Sequence, residues 1–190
     1  MEVIGLIFYP TYFTHKVTDI TAQILKYLNV EAVILDVDDT LVSPKKSYPK
    51  KEIINWIQNL KLQGIKVALL SNNFSKRIQP LSKSLDIHYV SMGMKPLTFG
   101  LKKTIKKISC SKKNIIMVGD QIFTDILAAN CAGVRSILVD PLEESKTLLL
   151  KFKRLLEKNL RTSIISDNSL NLKNLESKLS KNQSWEDKNQ

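Results

Sequence analysis

The chain has 190 residues, 43% hydrophobic and 25% charged, enough apolar content for one domain with a core of its own. Six glycines and six prolines exclude collagen-like and proline-rich chains, and no run of about 18 apolar residues exists to form a spanning helix. The net charge of +11 attracts polyanions, whether nucleic acid, anionic lipid or phosphorylated substrates, or simply keeps a lysine-rich chain in solution. Cys110 and Cys131 form no CxxC pair and no disulfide framework, which fits a reducing compartment and a cytoplasmic location.

At the start of the chain, residues 3–8 are apolar, but Glu2 precedes them and the first basic residue is Lys16. That is not the pattern of a secretory signal, and Pro10 breaks the run, so the segment is expected to pack on the domain or touch a membrane surface. From there, short β-branched runs at residues 32–37, 65–70, 87–90, 114–118 and 134–139 alternate with helical spacing at 50–62, 75–85, 96–108 and 122–131. Near-continuous apolar strands between amphipathic helices predict a parallel sheet covered on both faces, an α/β doubly wound fold. Pro96 suits a first helical turn, and Gly64 and Gly133 suit helix ends. Ligands of such a fold bind beyond the carboxyl ends of the strands.

Polar residues gather at those ends. Asp36, Asp38, Asp39 and Thr40 follow the first strand, Ser71-Asn72-Asn73 the second, Lys95-Pro96 the third, and Gly119-Asp120 with Asp125 the fourth. On extended backbone, Asp36 and Asp38 point the same way, and two carboxylates so close repel unless a cation compensates them. Asp120 and Asp125, from another strand end, can complete an oxygen cage for a hard divalent ion such as Mg²⁺. Ser71 can donate to a phosphoryl oxygen, and Lys95 can supply a compact positive charge. One such residue alone would read as a cap or a solvated side chain; the ordered set points to phosphoryl chemistry.

Further on, residues 145–161 place Leu148, Leu149, Phe152, Leu155, Leu156 and Leu160 on one helical face, with Lys151, Arg154, Lys158 and Arg161 opposite. The stripe predicts packing on the sheet, with contact to an anionic bilayer as the second reading. Lys102, Lys103, Lys106 and Lys107 form another basic helical face, solvated or lipid-facing. The expected domain covers residues 1–161. Residues 162–190, rich in Ser, Asn, Lys and Gln, are expected to be a disordered tail with one short helix near 170–179, and Trp185 stands isolated within it.

The set DxDxT at 36–40, Ser71-Asn72, Lys95-Pro96 and GDxxxxD at 119–125 resembles the haloacid dehalogenase (HAD) superfamily of aspartate-nucleophile phosphatases. The likeness spans residues 32–139. Within it, ILDVDDTLV at 34–42, GDQIFTDILAAN at 119–130 and the leader from Tyr9-Pro10 to Asp19-Ile20 resemble the YqeG-like group, itself similar to phosphatidylglycerophosphate phosphatases. Asp39 stands where those relatives typically carry Asn. The resemblance implies that Asp36 is the nucleophile and forms an aspartyl-phosphate, while Asp38 serves first as acid and then as base. It implies that Thr40 holds the loop geometry, that Ser71 and Lys95 stabilise the transferring phosphoryl group, and that Asn72 touches phosphate or substrate. Mg²⁺ would be held by Asp36, the backbone carbonyl of Asp38 and Asp120, with Asp125 ordering its water shell or Lys95.

Superfamily members often insert a cap domain. Here residues 41–65 leave room for one loop and one helix, and residues 73–95 for one helix and one short strand, so no sizeable cap is expected. An open cleft suits a phosphate carried on something large, such as a lipid headgroup. The expected function is a Mg²⁺-dependent phosphomonoester hydrolase acting on phosphatidylglycerophosphate, cytoplasmic or peripheral to an anionic membrane. A soluble sugar- or nucleotide-phosphate phosphatase and a non-catalytic HAD-fold binding protein stand beside it, and no RRM, KH or zinc-finger signature supports a nucleic-acid partner.

Overall fold

The structure, a computed structural model, describes residues 7–43, 46, 48–143, 148–175 and 177. Six strands form one sheet: β1 (Tyr12–Thr14), β2 (Ala32–Leu35), β3 (Lys66–Leu70), β4 (His88–Val90), β5 (Ile115–Gly119) and β6 (Arg135–Val139). Their order is β1-β6-β5-β2-β3-β4, and every pairing is parallel. The chain runs outward from β2 to β4, then returns to place β5 on the other side of β2. That reversal is the topological switch point of a doubly wound sheet, where a crevice opens beyond the strand ends.

The strands are buried on both faces, which is why they read as unbroken apolar runs. Val33, Leu35, Val67, Leu69, Ile116 and Val118 face one side, under α1 (Ala22–Tyr27), α2 (Lys51–Leu62) and α3 (Ser75–Leu85). Ala32, Ile34, Ala68, Leu70, Ile115 and Met117 face the other, under α4 (Phe99–Ile108) and α5 (Leu127–Ala132). A third cluster, of Phe13, Ile122, Ile126, Leu138 and Ile164, closes the β1–β6 edge beneath α6 (Leu148–Ser166). The described residues between β2 and β3 hold a loop and α2, and those between β3 and β4 hold α3, so neither connection carries a cap.

The five expected strands are all present, and the leader contributes a sixth. Phe13 is buried and pairs with Leu138 of β6, so this stretch is part of the sheet rather than a free segment. The helix expected from Pro96 begins at Phe99. Pro96 lies instead in a turn closed by Leu97 N donating to Met94 O at 2.8 Å. The stretch expected as one helix over 122–131 is a π-helical turn at Ile122–Ile126 that continues into α5.

Packing continues past the expected boundary at residue 161. α6 continues to Ser166, Ile164 and Leu172 are fully buried, and Asn171 forms a bridge to Phe13. The polar composition of this stretch concealed a few well-spaced apolar residues, which are enough to dock it. Of the expected apolar face, Leu160 packs on the third cluster while Leu155 and Leu156 are exposed, and Glu157 and Ile164 are buried beside it. Side chains 148–154, residues 178–190 and with them Trp185 lie outside the described set.

Truncating Ile164 to Ala is expected to cost about 2–4 kcal/mol, the usual penalty for emptying a buried aliphatic site. The urea midpoint of the purified chain reads this, and an unchanged midpoint would return α6 beyond Arg161 to the role of a loose tail.

Candidate active site

Two central strands deliver the acids. Asp36 directly follows β2, its N–H donating to Val118 O of β5 at 2.9 Å, and Asp120 directly follows β5. Asp125 comes from the π-helical turn, a feature that often marks functional positions in helices. Gly119 makes its approach possible: a Cβ there would lie 2.4 Å from the Asp125 carboxyl carbon. Asp36, Asp120 and Asp125 are all buried, with one carboxylate oxygen from each lying within 4.8 Å of the others.

Lys95 sits among them, 7% exposed. Its Nζ donates to Asp36 Oδ1 in a very short contact, to Asp125 Oδ1 at 2.6 Å and to Leu70 O at 3.3 Å, using all three donors of the ammonium. The opposite oxygen, Asp36 Oδ2, is buried without a hydrogen-bond partner. Burial pushes the Asp36 carboxyl well above the ordinary carboxylate range; Lys95 opposes this, and the charges of Asp125 and Asp120 add to it. Burial alone would lower the Lys95 ammonium, but Asp125 and Asp36 together raise it above its ordinary value.

The remaining expected residues converge on this core, several in a different capacity. Thr40 Oγ1 donates to Asp120 Oδ1 at 3.0 Å, so it orients an acid. Asn72 clamps the Lys95 backbone from both ends: its Oδ1 accepts from Lys95 N at 2.8 Å and its Nδ2 donates to Lys95 O at 2.9 Å. Expected as a phosphate or substrate contact, it positions the lysine through one donor and one acceptor of its amide. Ser71 Oγ donates to Asp38 Oδ2 at 3.1 Å and accepts from Asn73 N at 3.0 Å.

Asp38 stands apart from the three buried acids. Its carboxylate accepts from Arg77 Nε at 2.7 Å and from Asn73 Nδ2 at 2.8 Å, and its side chain is 24% exposed. As a metal ligand it therefore has its backbone carbonyl to offer, not its side chain.

Three residues escaped the sequence reading. Arg77, in the first turn of α3, had a signal: a cation at a helix N-terminus opposes the helix dipole and calls for an anionic partner, here Asp38. Arg161 had none, because the wheel put it on a solvated basic face. Its Nη2 donates to Asp120 O in a short contact, and its Nη1 to Asp140 Oδ1 at 3.1 Å. Glu157 accepts from Phe123 N at 3.0 Å and so steadies the π-helical turn that carries Asp125.

A cavity of about 270 Å³ adjoins the site at Thr40 and is lined by His15, Lys16, Lys50 and Glu52 among others. A larger one, about 710 Å³, lies at the amino ends of β3 and β4, the wrong end of the sheet for this chemistry. Two of its lysines, Lys61 and Lys66, are occupied in capping the terminal carbonyls of α3 and α4.

Acids from two adjacent strand ends, a buried lysine from the loop before α4 and a parallel sheet without a cap define a haloacid dehalogenase-like hydrolase. The sequence model of that family matches residues 44–133. The chain is also 31% identical over 157 residues to the protein named "Probable phosphatase YqeG" of Bacillus subtilis (strain 168), covering 83% of this chain and 91% of that one. It belongs to the haloacid dehalogenase-like phosphatases, in the group of YqeG. A more distant relative is phosphatidylglycerophosphate phosphatase 1, chloroplastic/mitochondrial, of Arabidopsis thaliana, 25% identical over 167 residues. That match covers 76% of this chain and about half, 48%, of the plant protein. Among solved structures, one assigned as a haloacid dehalogenase-like hydrolase of Bacteroides fragilis shares the fold. Its TM-score is 0.50 at 14% identity, over 64% of this chain and 93% of the other.

The raised Asp36 carboxyl has a consequence for stability. A carboxyl whose folded value lies above its unfolded one, about 3.9 for Asp, stabilises the fold below that value and loses the contribution as pH rises through the folded value. In EDTA, Asp36→Asn, neutral at every pH, is therefore expected to be more stable than the parent chain near neutrality, with the gap closing towards pH 4. Urea midpoints across pH check this; equal midpoints throughout would contradict the direction of the shift.

Proposed function

We propose that this phosphatase is Mg²⁺-dependent, works through an aspartyl-phosphate on Asp36, and dephosphorylates phosphatidylglycerophosphate at the cytoplasmic side of a membrane. The observation that carries the chemistry is the buried, partnerless Oδ2 of Asp36 beside a satisfied Lys95. Lys95 holds Oδ1, so Oδ2 is the oxygen left to react.

The acids suit a hard divalent cation. Their donor set is all oxygen, and three carboxylates around one ammonium carry a formal excess of two negative charges, which one divalent ion cancels. Asp36, Asp120 and the Asp38 backbone carbonyl would hold it, with Asp125 close by. When bound, Mg²⁺ supplies positive charge against the phosphoryl oxygens.

Asp36 Oδ2 attacks phosphorus, the bond from phosphorus to the leaving oxygen breaks, and Asp38 protonates the departing alkoxide. Asp38 then takes a proton from the water that attacks the aspartyl-phosphate, releasing inorganic phosphate and restoring Asp36. Asp38 fits this double duty because it is partly exposed and is oriented by Ser71, Asn73 and Arg77. Asn72 keeps Lys95 in register with both carboxylates, and Thr40 keeps Asp120 turned inward.

The lipid substrate draws on other support. The plant relative is named for it, and no cap stands over the crevice in the described residues. Phosphatidylglycerophosphate also carries a phosphodiester beside its phosphomonoester. The cavity next to Thr40 is mixed in charge, Lys16 and Lys50 against Glu52 and Asp140, and its two lysines would be the contacts for that second anionic group. No helix among the described residues is long and apolar enough to cross a membrane. The substrate would therefore be met at the bilayer surface, and the free thiols Cys110 and Cys131 are consistent with the reducing side.

Asp36→Asn is expected to lower turnover by about 10⁴-fold or more while circular dichroism shows an intact fold; full activity would remove the nucleophile assignment. Turnover of phosphatidylglycerophosphate in mixed micelles should require Mg²⁺, stop with EDTA, and exceed that of a panel of sugar and nucleotide phosphates. Preference for the soluble panel would replace the lipid reading with the soluble one.

A further inference from the structure

Around the mouth of the crevice, large apolar side chains stand in solvent. Phe74 is 69% exposed and Phe99 is 70% exposed, and Met92, Met94 and Leu97 are each at least half exposed. Scattered singly these would need no explanation, but they crowd two loops that meet. Met92 N donates to Asn73 O at 3.0 Å, next to Phe74, and Leu97 N donates to Met94 O. Gly93 N donates to Ser71 O, and the start of α4 presses so closely on Gly93 that a Cβ on Gly100 would lie 2.3 Å from Gly93 O. The loops are thus bound to each other and, through Ser71 and the Asn72–Lys95 clamp, to the reaction centre.

Their backbone includes two positions that side chains rarely adopt. Met92 and Met94 adopt φ of 49° and 55°, the left-handed region that is costly for residues with a side chain. Strain of this kind is retained where function uses the conformation, and here it accompanies side chains turned outward rather than into the core.

Charge completes the picture. Residues 71–114 carry ten Lys or Arg against one acid, Asp86, a net +9 of the chain's +11. Lys76 in the first turn of α3 and Lys102 and Lys103 in the first half of α4 are exposed beside the apolar loops.

We propose that the loops bearing Phe74, Met92, Met94, Leu97 and Phe99 dock on an anionic bilayer, with Lys76, Lys102 and Lys103 at the headgroups, holding the mouth of the crevice against the lipid surface. Exposed apolar side chains flanked by lysines are the composition of an interfacial contact, apolar groups reaching the acyl boundary and cations meeting the anionic leaflet. A second copy of the chain is disfavoured as the occupant, because it would bring the same +9 region against this one. The assignment rests on the reading that the substrate is a membrane lipid, and it names the surface that presents the site to that lipid.

Flotation of the full chain with vesicles of phosphatidylglycerol in phosphatidylcholine, free of any phosphomonoester, tests it. The chain is expected to float with anionic vesicles, less so as salt rises, and to stay behind with pure phosphatidylcholine. Phe74→Ser with Leu97→Ser and Phe99→Ser should weaken the partition at least about tenfold, and Lys102→Glu with Lys103→Glu by a comparable factor, since each basic residue near an anionic leaflet contributes about fivefold. Both variants should keep kcat/KM on p-nitrophenyl phosphate, showing that fold and chemistry are intact. Binding that is absent, or equal in the parent and the triple variant, would overturn the proposal. So would a self-association in light scattering that the triple variant abolishes, since the loops would then be a subunit interface. Micelle turnover separates the two readings. A chain that hydrolyses phosphatidylglycerophosphate in micelles but ignores vesicles refutes the docking surface alone. A chain that binds vesicles through these loops but spares that lipid refutes the substrate alone.

Discussion

The buried ammonium of Lys95, shared between Asp36 and Asp125, is the interaction on which the site turns. Three carboxylates so close in a buried place repel one another strongly, and one cation does not balance them. The remaining formal excess of negative charge makes the pocket receptive to a divalent ion; the Asp36 carboxyl is raised chiefly by its burial, with the charges of Asp125 and Asp120 adding to it.

Much of the surrounding architecture maintains that imbalance. Gly119 has no side chain, so Asp125 can lie against it, and the π-helical turn supplies the offset that brings Asp125 there. Glu157 fixes the start of that turn and Arg161 fixes the Asp120 carbonyl, which makes α6 part of the site's framework. Asp39 fits the same logic. Its φ of 64° is a left-handed conformation, and Asn and Asp are the side chains other than Gly that tolerate it best. The requirement at this position is on the backbone, and both the Asn typical of the resembling group and the Asp found here meet it.

What could be read from the sequence follows from where the information lies. Asp36, Ser71, Lys95, Asp120 and Asp125 were legible because each comes at or soon after the end of an apolar run, and topology assigns those ends to one crevice. That the described residues between β2 and β4 hold only a loop, two helices and a strand was legible because the spacings there are short. β1 was not, since three residues cannot display an alternation, and only Phe13 meeting Leu138 shows it to be a strand. Arg161 and Glu157 were hidden because a helical wheel ranks faces by hydrophobicity, whereas here a charged pair is turned inward by partners distant in sequence. The separate duties of Thr40 and Asn72 were hidden too, because a motif tells which residues gather but not which atoms meet.

The lack of a cap has a chemical implication. Capped phosphatases can exclude water by closing over the substrate; here Asp36 and Lys95 are desolvated by the sheet and loops of the chain itself, at 4% and 7% exposure. Electrostatic interactions at the phosphorus are therefore strong before any substrate arrives, while the leaving group remains outside the dry region. Such a site gains little of its discrimination by enclosing the substrate, so selection falls to the rim, where the cavity beside Thr40 and the exposed apolar loops lie. Discrimination between phosphomonoesters must then come from groups that reach beyond the phosphate to the rim, rather than from closure over it.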